Sequence, residues 1–273
     1  MKRALISLGQ QALLILLSVV SLYPLWFAIQ TALKTPQAYA LDPSGIPRAP
    51  TLENFFSLFD VMPFGRWMLN SVVVSFISVA AATLIAVLAA YAVVFGRFWG
   101  QRAFFSLNIA LMALPPVALI VPLFTFMVQV GLINTLPSVM LIYTILVIPF
   151  SVFFLVNFFR ELPLELIEAA TIDGASHVRI LFQIVMPLSV ATTATLIIVN
   201  AIWVWNELLF SLVFLQNNTQ RTLMAGLALF QGRYSTNEPL VMAGAFLSIL
   251  PLVILYLGSQ SFFVRGMTAG IGK

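Results

Sequence analysis

Six runs of largely apolar residues, each more than twenty long, are separated by short polar connections. They cover approximately residues 9–33, 70–94, 104–128, 138–159, 188–213 and 240–262. A bilayer core ~30 Å thick needs about 20 such residues per helical span. Inside it the backbone polar groups have no water to bond, so each run must close its hydrogen bonds internally as a helix. The chain therefore reads as an all-α membrane protein with six transmembrane helices. Composition agrees: 61% of residues are hydrophobic and 8% charged, where a soluble domain has about 45–50% and ~25%.

The first run follows Lys2-Arg3, as in a secretory signal. A signal's apolar region is only about 7–15 residues long, with cleavage close behind it. Here Ala38-Tyr39-Ala40, the one cleavage-like triplet, stands well past a longer run, so the run reads as an uncleaved span. Residues 34–66 hold Pro36, Pro43, Gly45, Pro47 and Pro50 and read as an extended extracytoplasmic loop. Ala80–82, Ala89 and Ala90 in the second run favour close helix packing. Residues 96–102 form an interfacial turn, and Pro115-Pro116 is expected to kink the third span. Residues 131–137 form a short turn, and 216–239 a second polar connection.

Six spans put both termini on one side. Placing them in the cytoplasm puts eight basic residues inside (Lys2, Arg3, Arg97, Arg102, Arg160, Arg179, Arg265, Lys273) and five outside (Lys34, Arg48, Arg66, Arg221, Arg233). The positive-inside rule favours that orientation. The expected organisation is a first helix and loop (1–66), a five-helix core (67–262) and a cytoplasmic tail (263–273).

Several functions are excluded. The basic residues are scattered rather than striped, which argues against nucleic acid. There is no cysteine, and His177 is the single histidine, so thiol chemistry, a histidine metal site and a catalytic triad all lack parts. Gly270-Ile271-Gly272-Lys273 resembles a phosphate loop, but Met267 stands where the first glycine belongs and no Ser or Thr follows. An ion-coupled transporter would carry several intramembrane carboxylates, and the runs offer essentially Glu207.

Residues 160–187 form a polar loop between the fourth and fifth runs. Pro163 suits the first turn of a helix, and Glu161, Glu165 and Glu168 would share a face. Gly174 after Asp173 fits a left-handed cap. Ser176 can cap a second helix whose Val178, Leu181, Phe182 and Val185 form an apolar stripe ended by Pro187. The spacing leaves open whether this knob docks into a protein or lies on lipid.

Glu168-Ala169-Ala170, Gly174, Ile184 and Pro187 resemble the EAA loop of ABC importer permeases of the type-1 fold, with Met186 where leucine is usual. The stretch Ile172-Asp173-Gly174-Ala175-Ser176 extends the likeness. Trp205-Asn206-Glu207, and Gln260 with Phe263 through Gly270, are similar to the carbohydrate-uptake branch and its maltose-type second permease. The resemblance implies a cytoplasmic coupling loop that docks into an ATPase dimer, with Glu168 orienting the bend through its carboxylate. It also implies a homologous second permease, an extracytoplasmic solute-binding protein, and ATP and Mg used by the ATPase, with no cofactor on this chain.

Asn200, Trp203, Asn206 and Glu207 offer amides, aromatic faces and a carboxylate within the fifth run. That chemistry suits a polyhydroxylated solute on its pathway. The other reading is that Glu207 holds helices together near the outer interface. In the resembled maltose-type branch most sugar contacts fall on the partner permease, which favours this second reading.

Overall fold

The structure, a computed structural model, describes the backbone of residues 2–233 and 237–269 and the side chains of 10–231 and 237–259. In chain order the helices are α1 (Lys2–Ala32), α2 (Pro36–Leu41), α3 (Glu53–Val61), α4 (Phe64–Phe95), α5 (Gln101–Met112), α6 (Ile120–Gln129) and α7 (Leu136–Phe159). They continue as α8 (Leu164–Ile172), α9 (His177–Leu188), α10 (Val190–Asn206), α11 (Leu209–Phe214), α12 (Leu223–Arg233) and α13 (Glu238–Ala269). Among the described residues, four helices are long and apolar enough to cross a membrane, and up to six spans result if each of two bent pairs counts as one.

The third span is broken rather than kinked: α5 and the segment Pro116–Gln129 meet at 97°. The cause is local. A residue before proline is pushed out of the helical region, and Pro115, which precedes Pro116, has ψ 122°. The fifth span also differs from a continuous 188–213 helix. α9 turns into α10 at 79° at Ser189, and α10 ends at Asn206 before the short α11.

Two connections expected to be irregular are helical. Residues 34–66 contain α2, capped by Thr35, whose hydroxyl accepts from Ala38 N at 3.2 Å, and α3. Lys34 is buried and donates to the carbonyls of Asp42 and Pro43 at 2.8 and 3.0 Å, while Asn54 donates to Ala32 O and Lys34 O at 2.7 Å each. Residues 216–239 contain α12, which buries Leu223, Ala225, Leu227 and Phe230. At eleven residues α12 is too short to span, but its apolar side still needs cover.

α4 and α7 share the most extensive helix interface, and α10 packs on α4 and α13. Buried side chains gather in three clusters. One joins the ends of α4 and α7 to α8 and α9, through Ala90, Tyr91, Val156 and Phe159 against Ile167, Ile180, Leu181 and Val185. A second joins α3, the start of α4, α12 and α13 around Trp67 and Phe230. The third lies between α4, α6, α7 and α11.

Candidate functional site

The loop after α7 folds as two short helices at a fixed bend. Pro163 is the cap residue of α8 rather than part of its first turn, and Glu161 lies before the helix, so only Glu165 and Glu168 share it. α8 ends on a double hydrogen bond: Ala175 N donates to Ala170 O at 3.0 Å and Gly174 N to Thr171 O at 3.1 Å. This is the pairing that closes a helix around a left-handed residue. Gly174 has φ 78°, a conformation that costs a side-chain-bearing residue about 1–2 kcal/mol. Ser176 then caps α9, accepting from Arg179 N at 3.4 Å.

The stripe on α9 is shifted from its expected register. Ile180, Leu181 and Val185 are buried, whereas Val178 and Phe182 point outward. The shift is set where α9 seats Ile180 and Leu181 on the α4–α7 cluster; a π turn over Leu181–Val185, where Met186 N bonds Leu181 O, follows it. Pro187 does not end α9, which runs on to Leu188; the break falls at Ser189. The Ser189 hydroxyl donates to Val185 O at 2.6 Å.

The sequence-predicted loop residues therefore sit together on one knob. Ala170 and Ile184 pack partly buried on the helix cluster beneath it, while Ala169, Asp173 and Pro187 are exposed. Glu168 is exposed too and makes no side-chain hydrogen bond among the described residues; the backbone bonds around Gly174 hold the bend. Outward the knob shows Ile172, 86% exposed, and Val178, 67% exposed, beside Leu164, Leu166 and Phe182. A cleft of about 800 Å³ separates α8 from the end of α4, lined by Tyr91, Phe95, Arg97, Glu168, Ile172 and His177. The His177 residue is exposed, and its Nδ1 lies 3.1 Å from the Tyr91 hydroxyl, which ties α9 to α4.

The second group lies on α10. Asn200 is 2% exposed and donates to the Ser151 hydroxyl at 2.8 Å. Glu207 occupies the gap between α10 and α11. Its carboxylate accepts the Tyr143 hydroxyl at 2.6 Å and the backbone N–H groups of Leu209, Phe210 and Ser211 at 2.9–3.3 Å. An intramembrane carboxylate is tolerated when its acceptor sites are filled in this way. Asn200 and Glu207 thus fasten α10 to α7. Trp203 and Asn206 remain exposed, Asn206 bonding back to Ile202 O at 2.8 Å.

The residues that complete these contacts, Tyr143 and Ser151, escaped the sequence reading. A signal was present: they are eight apart in the fourth run, and Asn200 and Glu207 seven apart in the fifth, about two helical turns in each case. Among the described residues no metal-sized group of His, Asp and Glu forms. The side chains of Gln260 and of residues 263–270, part of the family likeness, lie outside the described residues.

Comparison with known proteins gives these features a family. The family model described as binding-protein-dependent transport system inner membrane component matches residues 82–269. The sulfoquinovosyl glycerol transport permease SmoH of Agrobacterium fabrum is 37% identical, over 93% of this chain and 90% of that protein. The melibiose/raffinose/stachyose import permease MelC of Bacillus subtilis is 33% identical, covering 92% and 91%. The trehalose/maltose permease MalG of Thermococcus litoralis is 32% identical, covering 100% and 98%. Among solved structures, a chain of a bacterial ABC transporter involved in importing the acidic polysaccharide alginate superposes with TM-score 0.81 at 22% identity, over 95% and 97% of the two chains. The chain accordingly belongs to the binding-protein-dependent transport system inner membrane components, the non-catalytic permeases of ABC importers.

Proposed function

We propose that this chain forms one half of the pore of an ATP-driven carbohydrate importer, and that the α8–α9 knob is gripped by its ATPase. One observation carries the docking role. The knob's base is locked into the α4–α7 cluster through Ile167, Ile180, Leu181 and Val185, while Ile172, Val178 and Phe182 face away from the chain. Displacing such a knob displaces the ends of two spans with it, because closely packed interiors transmit strain. Glu168, Ala169, Ala170, Asp173, Gly174, Ile184 and Pro187 are its functional residues in this reading.

The carbohydrate class is supported by relatives whose names specify sugars or sugar derivatives. Solute enters from an extracytoplasmic binding protein and passes between this chain and a homologous second permease. Two ATPase subunits supply the driving force with ATP and Mg. Both termini are cytoplasmic, and residues 1–66, 67–262 and 263–273 serve as first helix and loop, pore core and tail.

The docking role is tested by Gly174→Val in the assembled importer. A β-branched residue at φ 78° must unwind the bend. ATPase copurification and solute uptake should both fall at least tenfold, a loss of ~1.4 kcal/mol or more in coupling. Uptake unchanged from the parent would remove the docking role. The solute class is read separately, by uptake of melibiose, raffinose, maltose, trehalose and sulfoquinovosyl glycerol.

A further inference from the structure

α7 and α10 run antiparallel, and their seam is closed at two levels by Tyr143–Glu207 and Ser151–Asn200. Beside that seam, Thr192, Thr195, Trp203 and Asn206 fall within an arc of ~80° on α10 at 3.6 residues per turn. On α7, Phe150, Phe154 and Asn157 share an arc of ~60° by the same count. The stripes meet at both ends, where Trp203 packs edge-on against Tyr143 and where Phe154 and Asn157 face Thr192 and Thr195, and so border one groove. At its end nearest the coupling loop the groove deepens into a cavity of about 350 Å³ lined by Phe153, Phe154, Asn157, Glu161, Thr192 and Thr195.

The chemistry of this cavity is specific. Asn157 uses its amide N–H on Phe153 O at 2.9 Å, and its side-chain oxygen has no partner among the described residues. The Thr195 hydroxyl donates to Ala191 O at 2.9 Å and keeps its lone pairs as acceptors. The Glu161 carboxylate makes no hydrogen bond among the described residues and is exposed. The lining is mostly apolar with a few acceptors set into it, and a sugar offers both apolar C–H faces and hydroxyl donors. The phenyl faces of Phe153 and Phe154, with Phe150 at 5.8 Å from Phe154, suit the apolar C–H face of a pyranose. Glu161 lies just past the end of α7 and Asn157 within its last turn, so this end of the groove opens toward the water at the coupling-loop face.

We infer that the α7–α10 groove holds a carbohydrate-binding station at its coupling-loop end, formed by Asn157, Glu161, Thr192 and Thr195 over the Phe153–Phe154 surface. This rests on the carbohydrate-importer reading above and adds a solute contact on this permease. It also reassigns the pathway on α10: Trp203 and Asn206 continue the same groove, whereas Asn200 and Glu207 hold the seam shut behind it.

The chain contains no cysteine, so Asn157→Cys or Thr195→Cys introduces its single thiol. Each variant is assembled with its partners, checked for uptake of the five sugars named above in whole cells, and prepared as inverted membrane vesicles without ATP. A membrane-impermeant maleimide then reports the labelling rate of this chain. Both thiols should react, and a transported sugar should slow labelling about threefold at twice its Kd, as simple occupancy requires. Ile145→Cys, on the other side of α7 and exposed, should stay unlabelled. Transport of one of these sugars with labelling indifferent to it overturns the station alone. Thiols at 157 and 195 that do not react overturn it as well, because lipid or the second permease then covers the groove. If none of the five sugars is taken up by the parent importer, the carbohydrate reading falls and the station falls with it.

Discussion

At the coupling-loop end of α4, Val87, Ala90 and Tyr91 meet Ile167, Ile180 and Leu181 chiefly through apolar contact. At its start, sixteen residues or more away, α4 adds to the apolar cluster around Trp67 a set of hydrogen bonds between side chains and backbone. Trp67 Nε1 donates to Asn218 O at 2.6 Å, and Asn70 donates to Thr219 O and Arg221 O at 3.0 and 2.9 Å. The Ser71 hydroxyl accepts from Leu223 N at 2.8 Å, and Asn134 accepts from Asn217 N at 2.7 Å. The bonds from α4 join positions about 150 residues apart in sequence and, with the Asn134 bond across 83, leave the connection 215–223 little freedom.

The difference is one of direction. Apolar contact is not directional, so a knob seated mainly by it can tilt as a body at the cost of a single directed bond to α4, His177–Tyr91. A strap of directed hydrogen bonds fixes position, because each bond weakens steeply when misaligned. The far end of α4 is thus built to stay put, and the loop end is built as a firm base with apolar residues left facing out.

Trp67→Ala strikes the strapped end hardest. It removes a ring that is 2% exposed together with its bond to Asn218. Loss of a buried aromatic costs about 3–5 kcal/mol, so the detergent-solubilised protein should melt well below the parent. A melting curve matching the parent's would show that the strap is dispensable.

Gly226→Ala comes next. A Cβ at this position of α12 would lie 2.3 Å from the Trp67 ring, which its hydrogen bond keeps from swinging aside. Overpacking of this kind costs about 1–3 kcal/mol. Combined with Trp67→Phe, which frees space beside α12, the penalty should shrink; two penalties that simply add would refute the contact.

The smallest effect on stability is expected at the knob. Ile172→Ser changes an exposed side chain and should shift stability by no more than about 0.5 kcal/mol. Solute uptake and ATPase copurification should nevertheless drop clearly. A variant that melts and transports like the parent would mean that Ile172 is a bystander.

The knob was legible in the sequence because its signals are local. Gly174, with φ 78°, and Ser176, bonded to Arg179 N, act within three residues of themselves. The register of α9 was not legible, since it depends on seating Ile180, Leu181 and Val185 against α4 and α7. α12 went unseen for another reason. Its apolar residues are too few for a span, and Trp67, the side chain they pack around, comes from the far side of the sequence.

The candidate pathway shows the same division. Sequence alone placed Asn200, Trp203, Asn206 and Glu207 on one helix but could not rank them, because a polar group in a span either faces solute or is satisfied by a neighbour. Tyr143 and Ser151, on α7, decide that for Glu207 and Asn200.

What the sequence determined by itself is the membrane character, the helical state of its long runs and the bent knob between the fourth and fifth. All three follow from composition and from residues within a few positions of one another. The tertiary structure decided where the third and fifth spans break in space, which face of α9 is buried, and which polar side chains of α10 are already partnered. Those outcomes depend on side chains brought together across tens to hundreds of residues, where hydrogen bonds and packing are completed only after the helices meet.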